Sequence, residues 1–155
     1  MDKQTFSFKI LSCQTKLYKV SMAMMDSYAD AEDAASEAVA RAWEKRDTLK
    51  CDEYFETWLI RILINVCRTE MRRKRRHPSV ELAEDYPAPE IEDSGLAEIL
   101  QSIAEKYRLP LVLHCALGMD IRNTARALRI SENTARWRIH KGKELAKQKW
   151  MEANK

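Results

Sequence analysis

The sequence predicts an all-α protein made of two small helical domains joined by an acidic, proline-containing linker. Three observations carry that expectation. Glycine occurs three times and proline four times in 155 residues, so little interrupts helix over most of the chain. Three of those prolines, Pro78, Pro87 and Pro89, cluster where Glu81 to Asp93 holds acidic residues and no Lys or Arg, which is the composition of a linker. On either side, apolar residues recur at offsets of three, four and seven, the period of a helix face.

Charged residues make up 33% of the chain and hydrophobic ones 45%, enough to bury cores and too much for a disordered tail. The net charge of +3 hides an asymmetry, because Arg72, Arg73, Lys74, Arg75 and Arg76 form one basic block just ahead of the acidic stretch. Such a block either lies along a phosphate backbone or is a solvated charge run.

The first helix is expected to bury a stripe of Ile10, Leu11, Leu17, Tyr18, Met24 and Met25. A second starts near Asp30 with Ala35, Ala38, Val39, Ala42 and Trp43 on one side. Asp30, Asp33, Glu37, Arg41 and Glu44 point mostly elsewhere. Its small residues permit close packing, and its acidic first turn suits the positive end of the helix dipole. A third runs from about Glu53 to Arg76, with Phe55, Trp58, Leu59, Ile62, Leu63 and Val66 as its apolar face and a strongly basic end.

After the linker, Asp120 to Leu128 reads as a short helix, Arg129 to Ser131 as a tight turn and Glu132 onward as another helix, a helix-turn-helix pattern. Ala125 is small where the helices meet, Ser131 is a good N-cap, and Ala135, Ile139 and Leu145 face inward. The outward face offers Asn133, Arg136, Trp137, His140 and Lys141, a mixture of base-edge hydrogen bonders and phosphate-neutralising cations. Helical hairpins with a basic face also occur in proteins that never touch DNA, and Trp137 either points outward or packs back onto a neighbouring helix.

Cys13, Cys51, Cys67 and Cys115 form no C-x-x-C pair, and His77, His114 and His140 lie outside zinc-finger spacing. The expectation is reduced thiols in a cytoplasmic protein, with no metal, no cofactor, no small-molecule substrate and no integral membrane segment. No phosphate-binding glycine loop, nucleophile motif or catalytic carboxylate pair stands out, which argues against an enzyme.

Four stretches in order, Asp30 to Trp43 (DAEDAASEAVARAW), Phe55 to Asn65 (FETWLIRILIN), Tyr107 to His114 (YRLPLVLH) and Ile130 to Gly142 (ISENTARWRIHKG), resemble the extracytoplasmic-function (ECF) sigma factors. These are the small two-domain bacterial RNA polymerase sigma subunits, and the resemblance covers about Ile10 to Lys149. It implies sigma region 2 over residues 8–76, a linker over 77–94 and sigma region 4 over 95–150. It further implies that the protein binds core RNA polymerase and directs promoter-specific initiation.

By that resemblance Asp30, Asp33, Glu37 and Arg41 contact core polymerase, while Trp43 is expected in the core. The loop from Leu49 to Glu56 and the third helix recognise and melt the minus-ten element. Tyr54, Arg61, Asn65, Arg68 and Arg72 are the candidates, with Tyr54 suited to stacking on an unpaired base. Phe55 and Trp58 are expected to anchor the helix. Asn65 reads equally as a buried, satisfied amide. In region 4, Asn133, Arg136 and His140 lie near minus-thirty-five bases, Ser131, Thr134, Arg138 and Lys141 lie nearer phosphates, and Trp137 belongs to the same element with no base or phosphate assigned to it.

The acidic linker resembles the family's connector threaded through polymerase, or is a plain tether. An anti-sigma factor that masks the binding faces is also implied. Four departures stand out. Arg129 replaces the usual turn glycine and Asn133 a common glycine. Cys51 and Asp52 replace a small polar loop, and Arg122 and Arg126, with Asn123 between them, make the first motif helix more basic and polar than usual. A left-handed turn would strain Arg129, so the turn is expected to distort or avoid that conformation. The competing function is a stand-alone DNA-binding regulator, which would need neither the docking helix nor the melting loop.

Overall fold

The computed structural model describes residues 1–77 and 95–155. The linker, with Pro78, Pro87 and Pro89, lies outside the described residues. The chain separates into two compact units, Met1–Pro87 and Ala88–Lys155.

The first unit holds three helices: α1 (Lys3–Met24), α2 (Tyr28–Glu44) and α3 (Phe55–Arg76). Asp2 caps α1 by accepting from the Thr5 amide at 2.8 Å, and Ser27 caps α2 by accepting from the Asp30 amide at 3.1 Å. Each cap satisfies an amide that has no partner within its helix. The buried residues of α2 are all alanine, Ala31, Ala34, Ala35, Ala38 and Ala42, so its backbone sits close to its neighbours. The core comes from α1 and α3, with Leu17, Val20 and Met24 facing Leu59, Ile60, Leu63 and Ile64. Phe6 closes one end, with ring centroids 5.1 Å from Trp43 and 6.1 Å from Phe55 in edge-on contacts.

The expected α1 stripe needs correction. Leu11 is 68% exposed, and the buried line runs through Phe6, Cys13, Leu17, Val20 and Met24. Leu11 sits one residue beyond Ile10, roughly 100° round the helix and off the face that meets α2 and α3. In α3, Trp58 and Ile62 are half-buried at the edge of the apolar face, while Ile60, Ile64 and Cys67 belong to its centre.

The second unit holds α4 (Leu96–Ser102), α5 (Glu105–Leu111), α6 (Ile121–Leu128) and α7 (Glu132–Ala153). Arg108 is buried and donates through Nη1 to the carbonyls of Ile103 at 3.0 Å and Gln101 at 3.3 Å. It thereby closes the carbonyl end of α4. Pro110 lies inside α5, and the chain widens directly afterwards into a π turn over Val112–Ala116. Proline cannot supply the amide that a regular helix requires there. His114 Nδ1 meets the Met119 carbonyl at 2.7 Å and ties this turn to the start of the helix-turn-helix.

Gly142 marks the closest approach of α7 to α5. A Cβ at that position would lie 2.9 Å from the Tyr107 carbonyl oxygen, so only glycine fits the crossing.

Candidate nucleic-acid interface

On α3, Arg61, Asn65, Arg68 and Arg72 follow one another at spacings of four, three and four residues, a single stripe of about 60° width. Arg61 is half-exposed and the other three are exposed. Tyr54, seven residues before Arg61, precedes the stripe from a short 3-10 turn and is 40% exposed. The buried-amide alternative for Asn65 does not hold, since the residue lies on the surface. Phe55 is buried and Trp58 packs against it with centroids 5.8 Å apart, the anchoring arrangement expected of them.

The basic block at the end of α3 is not uniformly available. Arg73 pairs with Glu70 at 2.9 Å, and Lys74 pairs with Asp30 of α2. Arg72 donates through Nε to the Arg68 carbonyl at 3.3 Å and forms no ion pair among the described residues. Arg75 and Arg76 are exposed and form no ion pair among the described residues. The helix end therefore keeps a cationic surface beside the stripe.

On α2, Asp30, Asp33, Glu37 and Arg41 again share one face, at spacings of three, four and four. Asp33 and Glu37 are exposed, and Glu37 accepts from Arg41 Nε at 3.0 Å. Asp30 is more enclosed. Burial raises its pKa, but hydrogen bonds from Lys74 and Ser27 and the charges of Lys74 and Arg73 together outweigh it and hold the carboxyl below its ordinary value. Trp43 is half-buried, with Phe6 on one side and the Arg46 guanidinium 3.8 Å from its ring centroid, a cation–π contact that covers the indole.

The helix-turn-helix forms as the sequence predicts. Asp120 caps α6 by accepting from the Asn123 amide at 2.7 Å. Ser131 caps α7 by accepting from the Thr134 amide at 3.1 Å, and its hydroxyl also donates to Thr134 Oγ1 at 2.8 Å. Between the helices Arg129 adopts φ 56° and ψ 44°. The turn does not avoid the left-handed region, as the missing glycine led one to expect; arginine occupies it.

Ala135, Ile139 and Gly142 face the core. Asn133, Arg136, Trp137 and His140 are exposed, and Thr134, Arg138 and Lys141 are half-exposed beside them. Arg136 Nη1 donates to Asn133 Oδ1 at 3.3 Å and its Nη2 lies 3.9 Å from Glu132, so local partners orient the guanidinium. His140 Nε2 is 3.2 Å from Glu144. Trp137 resolves as both alternatives at once: its ring meets Tyr107 with centroids 5.8 Å apart, yet 58% of the residue remains exposed. The contributions of Tyr107 and Lys74 were not legible beforehand, because each acts on a residue distant in sequence. Gly142, a glycine inside a run of good helix formers, was the available signal for its crossing.

Two compact helical units, one of them holding a helix-turn-helix with a polar outward face, have the architecture of a two-domain DNA-binding protein. The family description "Sigma-70 region 2" matches residues 10–77, and "Sigma-70, region 4" matches residues 95–145. The chain is 27% identical over 146 residues to the ECF RNA polymerase sigma factor SigM of Mycobacterium tuberculosis, covering 88% of this chain and 72% of that protein. It is 27% identical over 165 residues to SigW of Bacillus subtilis, covering 92% and 87%.

Among solved structures, the sigma factor RpoE in complex with the anti-sigma factor NepR from Bartonella quintana aligns with TM-score 0.80 and 20% identity, covering 94% of this chain and 96% of that one. CnrH in complex with the cytosolic domain of CnrY aligns with TM-score 0.76 and 22% identity, covering 99% and 92%. Both show the same fold. The chain belongs to the ECF sigma factors, non-enzymatic RNA polymerase subunits that direct transcription initiation. The region 2 match removes the stand-alone regulator. No helix among the described residues is long and apolar enough to cross a membrane.

Proposed function

We propose that this sigma factor divides its work among three faces. Residues 8–76 act as the polymerase-binding and minus-ten domain, 77–94 as the connector and 95–150 as the minus-thirty-five domain. The α2 face of Asp33, Glu37 and Arg41, with Asp30 at its edge, docks on core polymerase. Tyr54 and the α3 stripe of Arg61, Asn65, Arg68 and Arg72 take the minus-ten element, with Tyr54 stacking on an unpaired base and the arginines neutralising phosphates. In α7, Asn133, Arg136, Trp137 and His140 meet bases, and Ser131, Thr134, Arg138 and Lys141 meet backbone.

The observation that carries this division is the alignment of Arg61, Asn65, Arg68 and Arg72 on one outward stripe, opposite a face filled by Leu59, Leu63 and Val66. Such a helix presents cations and an amide where a core-building helix has no use for them. The protein works in the cytoplasm, where its polymerase is. An anti-sigma factor covers the same faces to hold it inactive, a role supported by the complexes in which its structural neighbours were solved.

The test is run-off transcription with core polymerase on a library of random promoter templates at defined salt. Transcripts that require the protein and share two spaced elements support the assignment. Specific DNA binding without such transcripts would refute it.

A further inference from the structure

Trp137 is the one large aromatic side chain on the outward half of α7 within its first two turns. At about 100° per residue it lies roughly 200° round the helix from buried Ala135, opposite the packed face. Leaving an indole 58% exposed amid Asn133, Arg136 and His140 forfeits burial that the fold could otherwise use. Its partner Tyr107, with rings 5.8 Å apart and tilted by 56°, gives the indole an aromatic neighbour while more than half of the residue stays exposed. The indole is thus held in place while its outer surface faces what the helix docks against.

When a recognition helix enters the major groove, its N-terminal residues face the base edges. Those edges are polar, with one apolar exception, the C5-methyl group of thymine. Hydrogen-bonding neighbours flank Trp137 on the same face: Asn133 one turn before, Arg136 beside it and His140 one turn after. Of these the indole alone offers apolar area, so the methyl group is the feature of DNA that it matches.

We propose that Trp137 is a specificity-determining residue that reads a thymine methyl group in the minus-thirty-five element, with Tyr107 as the positioning residue behind it. This rests on the assignment of α7 to that element, made above. The promoters recognised by this protein then carry a thymine, on one strand or the other, at a fixed position in the element. Sequence specificity there comes from apolar contact, beside the hydrogen-bond readout of Arg136.

The test uses the full chain assembled with core polymerase on a promoter selected by run-off transcription. Each minus-thirty-five thymine is replaced in turn by deoxyuridine, which removes the methyl group and leaves every hydrogen bond intact. One position should bind about fourfold more weakly, the factor expected for losing one buried methyl-sized apolar group. The Trp137→Ala variant, at an exposed position that leaves the fold intact, should lose this sensitivity, and Trp137→Phe should keep part of it.

Insensitivity of the wild-type protein at every thymine would overturn the proposal, as would an element with no thymine on either strand. Equal sensitivity in the wild type and Trp137→Ala would also overturn it, by assigning the methyl group to another residue. Failure of the wild type to direct any transcript from the unmodified promoter would overturn the sigma-factor assignment as well, and is read before any substituted template.

Discussion

Lys74, near the end of α3, forms an ion pair with Asp30 in the first turn of α2, 44 residues earlier in the chain. The pair ties the basic end of one helix to the acidic start of another, where the carboxylate also meets the positive end of the α2 dipole.

Breaking that pair should weaken the first unit modestly. Lys74→Met is expected to cost roughly 0.5–1 kcal/mol at neutral pH, since the lysine side chain is 38% exposed and solvent screens such pairs. Because the folded Asp30 carboxyl titrates below its ordinary value, its contribution is fully present above the unfolded pKa of about 3.9 and fades as pH falls through the folded value. Calorimetric unfolding should therefore show a gap between wild type and variant at pH 7 that closes below about pH 4.

The same pair bears on polymerase docking. Asp30 is committed to Lys74, whereas Asp33 and Glu37 are exposed, so charge reversal at the latter two should damage docking most. Asp33→Lys with Glu37→Lys should weaken binding to core polymerase by about 1–3 kcal/mol, while helix content by circular dichroism stays unchanged. Unaltered binding would remove both residues from the interface.

Most of this architecture could be read from pattern alone, and the exceptions share a cause. Periodicity placed Leu17 and Met24 in the core, but it could not decide between the line through Ile10 and the line through Leu11, one residue apart. The choice depends on which faces of α1 the helices α2 and α3 cover, a tertiary fact. Ser131, Ala135 and Ile139 were legible because caps and helical spacing are local. Tyr107 behind Trp137 and Lys74 against Asp30 were not, because nothing in a linear pattern joins residues 30 or more apart. Arg129 was flagged by its departure from the usual glycine, yet local rules favoured a distorted turn. The hydrogen bonds that end α6, from the Arg129 amide to the Arg126 carbonyl at 3.3 Å and from the Ile130 amide to the Ala125 carbonyl at 3.0 Å, instead go with the left-handed conformation of a helix cap.

Arg129→Gly should stabilise the second unit. A non-glycine residue in the left-handed region carries a cost of about 1–2 kcal/mol, partly offset by the greater backbone freedom that glycine loses on folding. A net gain of about 0.5–1 kcal/mol is expected. Thermal unfolding should register it as a rise of a few degrees, roughly 4–8 °C per kcal/mol for a unit of this size. An unchanged or lower midpoint would mean that the arginine side chain contributes more than its backbone costs.

Gly142→Ala should act in the opposite sense. The added Cβ would meet the Tyr107 carbonyl oxygen at 2.9 Å, and since the Cβ is fixed to its Cα and the carbonyl is helix backbone, neither can step aside cheaply. Forcing α5 and α7 apart should cost about 1–3 kcal/mol, more than the small helix-propensity gain of alanine over glycine. Tyr107 also supports Trp137, so fluorescence of the exposed indole should shift along with the unfolding midpoint.

Arg136 and Asn133 should behave as one unit in reading DNA. The 3.3 Å hydrogen bond between them orients the guanidinium fork before DNA arrives, and a fork held in advance loses less freedom when it engages a base edge. Arg136→Ala is expected to relax preference at one base pair by about 1–3 kcal/mol. Asn133→Ala should relax the same position to a smaller degree, because the guanidinium remains but is less constrained. The double variant should then lose less than the sum of the two single losses, the coupling expected of contacting residues. Binding assays on a panel of minus-thirty-five variants would resolve this cycle. Equal weakening across the whole panel by Arg136→Ala would instead make the side chain a phosphate contact, with a salt slope lower by about one.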